Sequence, residues 1–187
     1  MKKIKLVDGN KLRSTKDIDF GVIGRHEIDI YVPENEIWFD RAYLKEKEFI
    51  FSDLEEHKRL VKKYGYEKAK AIERKKMPGG DPKMARVKLI KTESKMKIVL
   101  VDGPYVRQHF DSNFFFGGHP LVYDYVPKGE IWIDNAVVPE ERPFVIAHEV
   151  YEYQLMKKGM SYSNAHDYAC AREKEVRRAA GAKYLLD

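Results

Sequence analysis

Residues 3–9 read KIKLVDG and residues 97–103 read KIVLVDG. Carried outward at a constant spacing of 94, the match continues. Arg13, Asp17, Phe20 and Gly24 meet Arg107, Asp111, Phe114 and Gly118. Tyr31-Val32-Pro33 meets Tyr125-Val126-Pro127, Glu36-Ile37-Trp38 meets Glu130-Ile131-Trp132, and Asp40 meets Asp134. From residue 3 to residue 46 the spacing never slips, and 19 of 44 positions are identical. A shift of one residue then aligns Phe49, Leu60, Lys62 and Lys63 with Phe144, Leu155, Lys157 and Lys158. The expectation is a tandem duplication, with repeat one over 1–76 and repeat two over 96–187. The intervening linker, 77–95, holds Met77-Pro78-Gly79-Gly80-Asp81-Pro82, a cluster of residues that break regular structure.

Each repeat predicts an α+β unit, strands and a β-hairpin followed by two helices. Residues 97–102 form an apolar strand ended by Gly103. Runs over 121–126 and 130–134 flank Pro127-Lys128-Gly129 and read as the hairpin. Pro143 suits a first helical turn, helical spacing follows it, and Gly159 marks the stop. Ser161 or Ser163 then caps a second helix running to about Ala180. In repeat one the helices fall near 52–64 and 67–76. Two nearly matching repeats are expected to pack as a pseudo-twofold pair.

The 187 residues include twelve tyrosines, nine phenylalanines and two tryptophans, enough to build a core despite a charged fraction of 35%. No apolar run approaches the ~18 residues of a membrane span, so no membrane partner is expected. A single cysteine, Cys170, excludes an internal disulfide framework and a zinc site made of cysteines alone. A cytoplasmic location is the expectation. The net charge is +5, and the basic excess lies between Lys58 and Lys97, with 15 basic residues against 4 acidic ones. Such a block suits a phosphate backbone, although it lacks the interleaved aromatics that stack on bases. The competing reading is a solvated, lysine-rich helix and linker.

Repeat two contains His148-Glu149-Val150-Tyr151-Glu152. His148 and Glu152 are four apart and share one helical face. His166 opens the next helix after the Gly159 turn, where an antiparallel helix pair brings it opposite the first two. Two nitrogens and one oxygen with an open fourth position describe a catalytic zinc site, another divalent ion being the alternative. Glu149 is placed to take a proton from water. The competing reading makes His148 and Glu152 a surface helical pair and leaves His166 to pack locally. Glu173, seven residues after His166, suits either an orienting partner of His166, a fourth ligand, or a pair with Arg177. Cys170, between Ala169 and Ala171, reads as core. The counterparts of His148, Glu149 and Glu152 in repeat one are Asp53, Leu54 and His57, so the scaffold repeats and the constellation does not.

This segment resembles the HExxH zincin metallopeptidases, with Glu152 in place of the second histidine. It also resembles small proteins of unassigned activity with the pattern GGH…YVP…EIWI…PF…HE…E…G…Y…AH. The resemblance covers roughly 130–173. It implies that His148, Glu152 and His166 hold the metal, that Glu149 is the catalytic base, and that Glu130–Asp134 is an edge strand binding extended peptide. Two functions fit the whole pattern. One is a zinc-dependent hydrolase, peptidase-like, with one active and one degenerate repeat, acting on a peptide or protein. The alternative is a non-catalytic tandem-repeat module whose basic first half binds nucleic acid or an acidic protein.

Overall fold

Strand β1 (Lys3–Val7) ends at Asp8, whose side chain accepts the Lys11 backbone N–H at 3.0 Å and caps helix α1 (Gly9–Thr15). The same device recurs in the second half. Strand β5 (Met96–Val101) ends at Asp102, which caps α4 (Gly103–His109). Both helices begin on glycine because a carboxylate lies against that position. A Cβ on Gly9 would stand 1.8 Å from Asp40 Oδ2, and one on Gly103 would stand 2.1 Å from Asp134 Oδ1. The last turn of each helix carries the arginine that binds this carboxylate. Arg13 reaches Asp40 at 2.9 Å, and Arg107 reaches Asp134 at 2.5 Å.

The structure is a computed structural model that describes residues 2–183. It is α+β, with six α-helices and two small mixed sheets. In the first sheet, ordered β1-β3-β2, β3 (Glu36–Asp40) runs parallel to β1 and antiparallel to β2 (Ile23–Arg25). The second is ordered β4-β5-β7-β6. There β7 (Glu130–Asp134) runs parallel to β5 and antiparallel to β6 (Gly117–Gly118). Every β5–β7 pair is a β1–β3 pair moved 94 residues along, from Lys3↔Glu36 and Lys97↔Glu130 onward. Each parallel pair is crossed over by a segment that opens with the capped short helix.

The chain divides into two compact units, Met1–Leu44 with Ala136–Asp187, and Lys45–Asn135. The first unit joins the β1-β3-β2 sheet to α5 (Arg142–Lys157) and α6 (Tyr162–Ala179). The second joins the β4-β5-β7-β6 sheet to α2 (Lys47–Tyr64) and α3 (Tyr66–Lys76). Each unit therefore combines the strands read from one repeat with the helix pair read from the other. The second unit's core packs Phe114, Val126 and Trp132 with Ala85, Val99, Val101 and Val106. No helix among the described residues is long and apolar enough to cross a membrane.

Three local expectations are corrected. Residues 121–126 form turns, with Tyr123 N–H on His119 O and Val126 N–H on Tyr123 O, and the antiparallel partner of β7 is Gly117–Gly118. Tyr123 and Tyr125 there pack partly buried against the core without forming a ladder. Strand β7 is not an edge, because β5 and β6 flank it, so its backbone is not free for an extended peptide in the way the resemblance implies. The stretch 77–95 is more than a linker. It contains β4 (Arg86–Glu93), which meets β5 through Ser94 and Lys95, both at positive φ (49° and 66°), as a two-residue primed turn requires. Helices α1 and α4, too short to show a period, were not anticipated.

Arg107 is fully buried, held by Asp134, by the Phe114 carbonyl at 2.7 Å and by Glu46 at 2.5 Å. Arg107→Ala strands Asp134, itself 0% exposed, without its counter-charge. The expected loss is about 3–5 kcal/mol in urea unfolding. A loss under about 1 kcal/mol would show that the guanidinium does not hold the unit.

Candidate metal centre

Helix α6 places Ala165, Ala169, Glu173 and Arg177 in one buried stripe at intervals of four. The two alanines let α5 approach closely, and α5 turns His148, Glu149 and Glu152 inward, all buried. The structure brings together the three expected ligands. His148 Nε2 lies 3.2 Å from His166 Nδ1, His166 Nδ1 lies 2.9 Å from Glu152 Oε2, and His148 Nε2 lies 3.6 Å from the same oxygen. Two bonds of about 2.0–2.1 Å at a tetrahedral angle set ligand atoms about 3.3 Å apart. The observed triangle has that size, so these residues fit a small divalent cation.

Glu173 settles which nitrogen His148 presents. Its Oε2 lies 3.1 Å from His148 Nδ1, and a carboxylate accepts only, so Nδ1 donates and Nε2 of the neutral ring faces the cluster. The sequence offered Glu173 as an orienting partner of His166, as a fourth ligand or as a pair with Arg177. In the structure it serves His148 and Arg177 together, with Arg177 at 2.7 Å. Arg177 continues to Glu141 at 3.0 Å, Glu141 accepts from Arg13, and Arg13 holds Asp40 of β3. A continuous run of buried charges thus ties His148 to the first sheet.

Electrostatics favour positive charge at the cluster. Hydrogen bonds with Cys170 and Glu152 push His166 up to about 10, against the effect of burial. Burial opposes charge on His148 as well, yet contacts with Cys170, Glu152 and Glu173 and the charge of Glu149 raise it far above its ordinary value. Burial and the charges of Glu152 and Glu149 push Tyr162 up to about 12. Tyr162 stacks on His166 with ring centroids 5.6 Å apart. The His166 side chain is 41% exposed, so the cluster opens to solvent on that side.

The residue that sequence reading misplaced is Cys170. It is not a core side chain: it is half-buried, with Sγ 3.6 Å from His166 Nε2 and donating to Asp19 Oδ1 at 3.3 Å. Its spacing of one turn from His166 was the available signal. Elsewhere, His57 Nδ1 meets Glu73 Oε1 at 2.9 Å, and among the described residues Asp53, His57 and Glu73 form no three-donor group. The basic stretch 58–97 spreads over the end of α2, α3, β4 and the start of β5. Several of its charges are paired, Lys58 with Glu55, Lys76 with Glu56, Arg86 with Glu130 and Lys91 with Glu93. Compared with protein-family models, curated proteins and solved structures, the chain matches none.

A raised folded-state value links the cluster to stability. The unfolded value of His166 is the ordinary ~6.5. Its contribution in the metal-free protein is complete below about pH 6.5 and is lost as pH rises through about 10. Urea unfolding of chelator-treated protein should show the advantage of wild type over Glu152→Gln shrinking from about pH 6 to about pH 10. A pH-independent difference would mean that Glu152 does not hold the His166 proton.

Proposed function

We propose that the chain is a zinc-dependent hydrolase, peptidase-like in its chemistry, with His148, Glu152 and His166 as metal ligands and Glu149 as general base. The observation that carries this reading is the convergence of two imidazole nitrogens and one carboxylate oxygen, 2.9–3.6 Å apart, beside a solvent opening. Two nitrogen donors favour zinc over magnesium or calcium, which take oxygen ligands. Zinc bound there would supply Lewis acidity and a water of lowered pKa.

The side chains divide the remaining work. Glu173 keeps the proton on Nδ1 of His148, so the ring binds through Nε2. Glu149 adjoins His148 on α5, is 8% exposed, and its charge raises His148 and Tyr162. A carboxylate so placed accepts a proton from water and returns it to a leaving amine. Tyr162 remains a neutral phenol at pH 7 and offers a donor at the open side. A single cysteine suits a cytoplasmic setting.

The proposal includes an origin by tandem duplication, with a degenerate first copy. The repeated register of the two sheets supports it, as do the paired Asp–Gly–Arg–Asp devices. So does the bond from each tryptophan Nε1 to the glutamate two residues before it, Trp38 to Glu36 at 2.7 Å and Trp132 to Glu130 at 3.0 Å.

Metal analysis of purified protein should find about one zinc per chain. His148→Ala and His166→Ala should lose it. Glu149→Gln should keep it, while hydrolysis of an unstructured protein falls by about 10²–10⁴-fold. Stoichiometric metal in both histidine variants would place the site elsewhere.

A further inference from the structure

We propose that Cys170 is itself a ligand of the cation held by His148 and His166. The cluster would then offer sulfur as well as nitrogen, and would select a borderline or soft divalent ion. This rests on the two histidine ligands of the metal reading above and sets Cys170 in the place given there to Glu152. Three donor atoms, one each from His148, His166 and Cys170, lie within 4.8 Å of one another. Cys170 follows His166 by one helical turn, which puts both on one side of α6. The two nitrogens of His166 face different partners, Nδ1 toward Glu152 and Nε2 toward Cys170. One imidazole gives one nitrogen to one ion, so a cation bound by Cys170 takes His166 through Nε2 and leaves Glu152 to hold Nδ1.

The surroundings of Sγ differ from those of a packing cysteine. A packing cysteine contacts apolar atoms. Here the contacts are an imidazole and the Asp19 carboxylate, which accepts the S–H and aims the sulfur. On binding, the S–H bond breaks, a sulfur–metal bond forms, and the proton leaves to solvent beside Asp19. A thiolate offsets half the charge of a divalent ion, which lowers the cost of holding it in a half-buried place. Thiolate also disfavours magnesium and calcium, the abundant competitors.

Cobalt(II) and zinc(II) serve as probes on the whole chain. Wild type titrated with cobalt should develop a thiolate-to-cobalt charge-transfer absorption that saturates at about one equivalent and resists excess magnesium. Cys170→Ser should lose that absorption completely while keeping the wild-type circular dichroism. X-ray absorption of zinc-loaded wild type should show one sulfur in the first coordination shell, which decides the matter even if Cys170→Ser fails to fold. Stoichiometric cobalt with no sulfur absorption, and a zinc shell of nitrogen and oxygen alone, would overturn the role of Cys170 and leave the histidine–glutamate centre standing. Absence of any cobalt or zinc binding by wild type would overturn both.

Discussion

In each unit a guanidinium buried between carboxylates fixes the geometry on which the rest depends. Arg13 joins Asp40 at the end of β3 to Glu141 at the start of α5. Arg107 joins Asp134 at the end of β7 to Glu46 at the start of α2. Each also donates to a loop carbonyl, Phe20 O or Phe114 O. Five donors in a rigid fork suit this work, because two of them grip one carboxylate while others reach the second carboxylate and the carbonyl. The desolvation of such a group is costly unless every partner is present, which makes the arrangement specific as well as stabilising. Strand end, loop and helix start must all arrive together.

The first unit extends this network to the candidate centre. Glu141 accepts from Arg177 as well as from Arg13, and Arg177 holds Glu173 against His148. The imidazole is therefore oriented by a chain of charges anchored in the sheet, not by its own helix alone. The second unit has the arginine and its carboxylates, but Asp53 and His57 stand where His148 and Glu152 would be. His57 meets Glu73 there instead. Two units with the same strand register thus carry different clusters, and the difference lies in a few side chains of α2 and α3 against α5 and α6.

Much of this was legible in the residues. The four-residue spacing of His148 and Glu152, followed by a glycine stop and His166, pointed to a helix pair: helical geometry puts the first two on one face, and the packing of α6 on α5 brings His166 to them. The 94-residue spacing foretold the repeated strand register. Other features depend on tertiary partners. Strand β4 reads as a charged linker because nearly all of its residues stay exposed and its pairing shows only in the backbone. The central place of β7 depends on Gly117–Gly118, too short and too plain to register as a strand. Constant spacing pairs Glu46 with Glu140, yet Arg13 uses Glu141. Geometry thus places the one-residue slip before Glu46, earlier than identity alone shows.

The unequal sheets carry a further consequence. In the second, β4 lies beside β5, and Val99 is buried; in the first, β1 keeps its outer edge, and Lys5 occupies the matching position over the Trp38 ring. An uncovered strand is a template for other chains. With Lys3 and Lys5 along it, any second copy pairing there would set ammonium against ammonium. The lysines stand where the other sheet has its own chain for cover, and charge at such an edge disfavours strand addition.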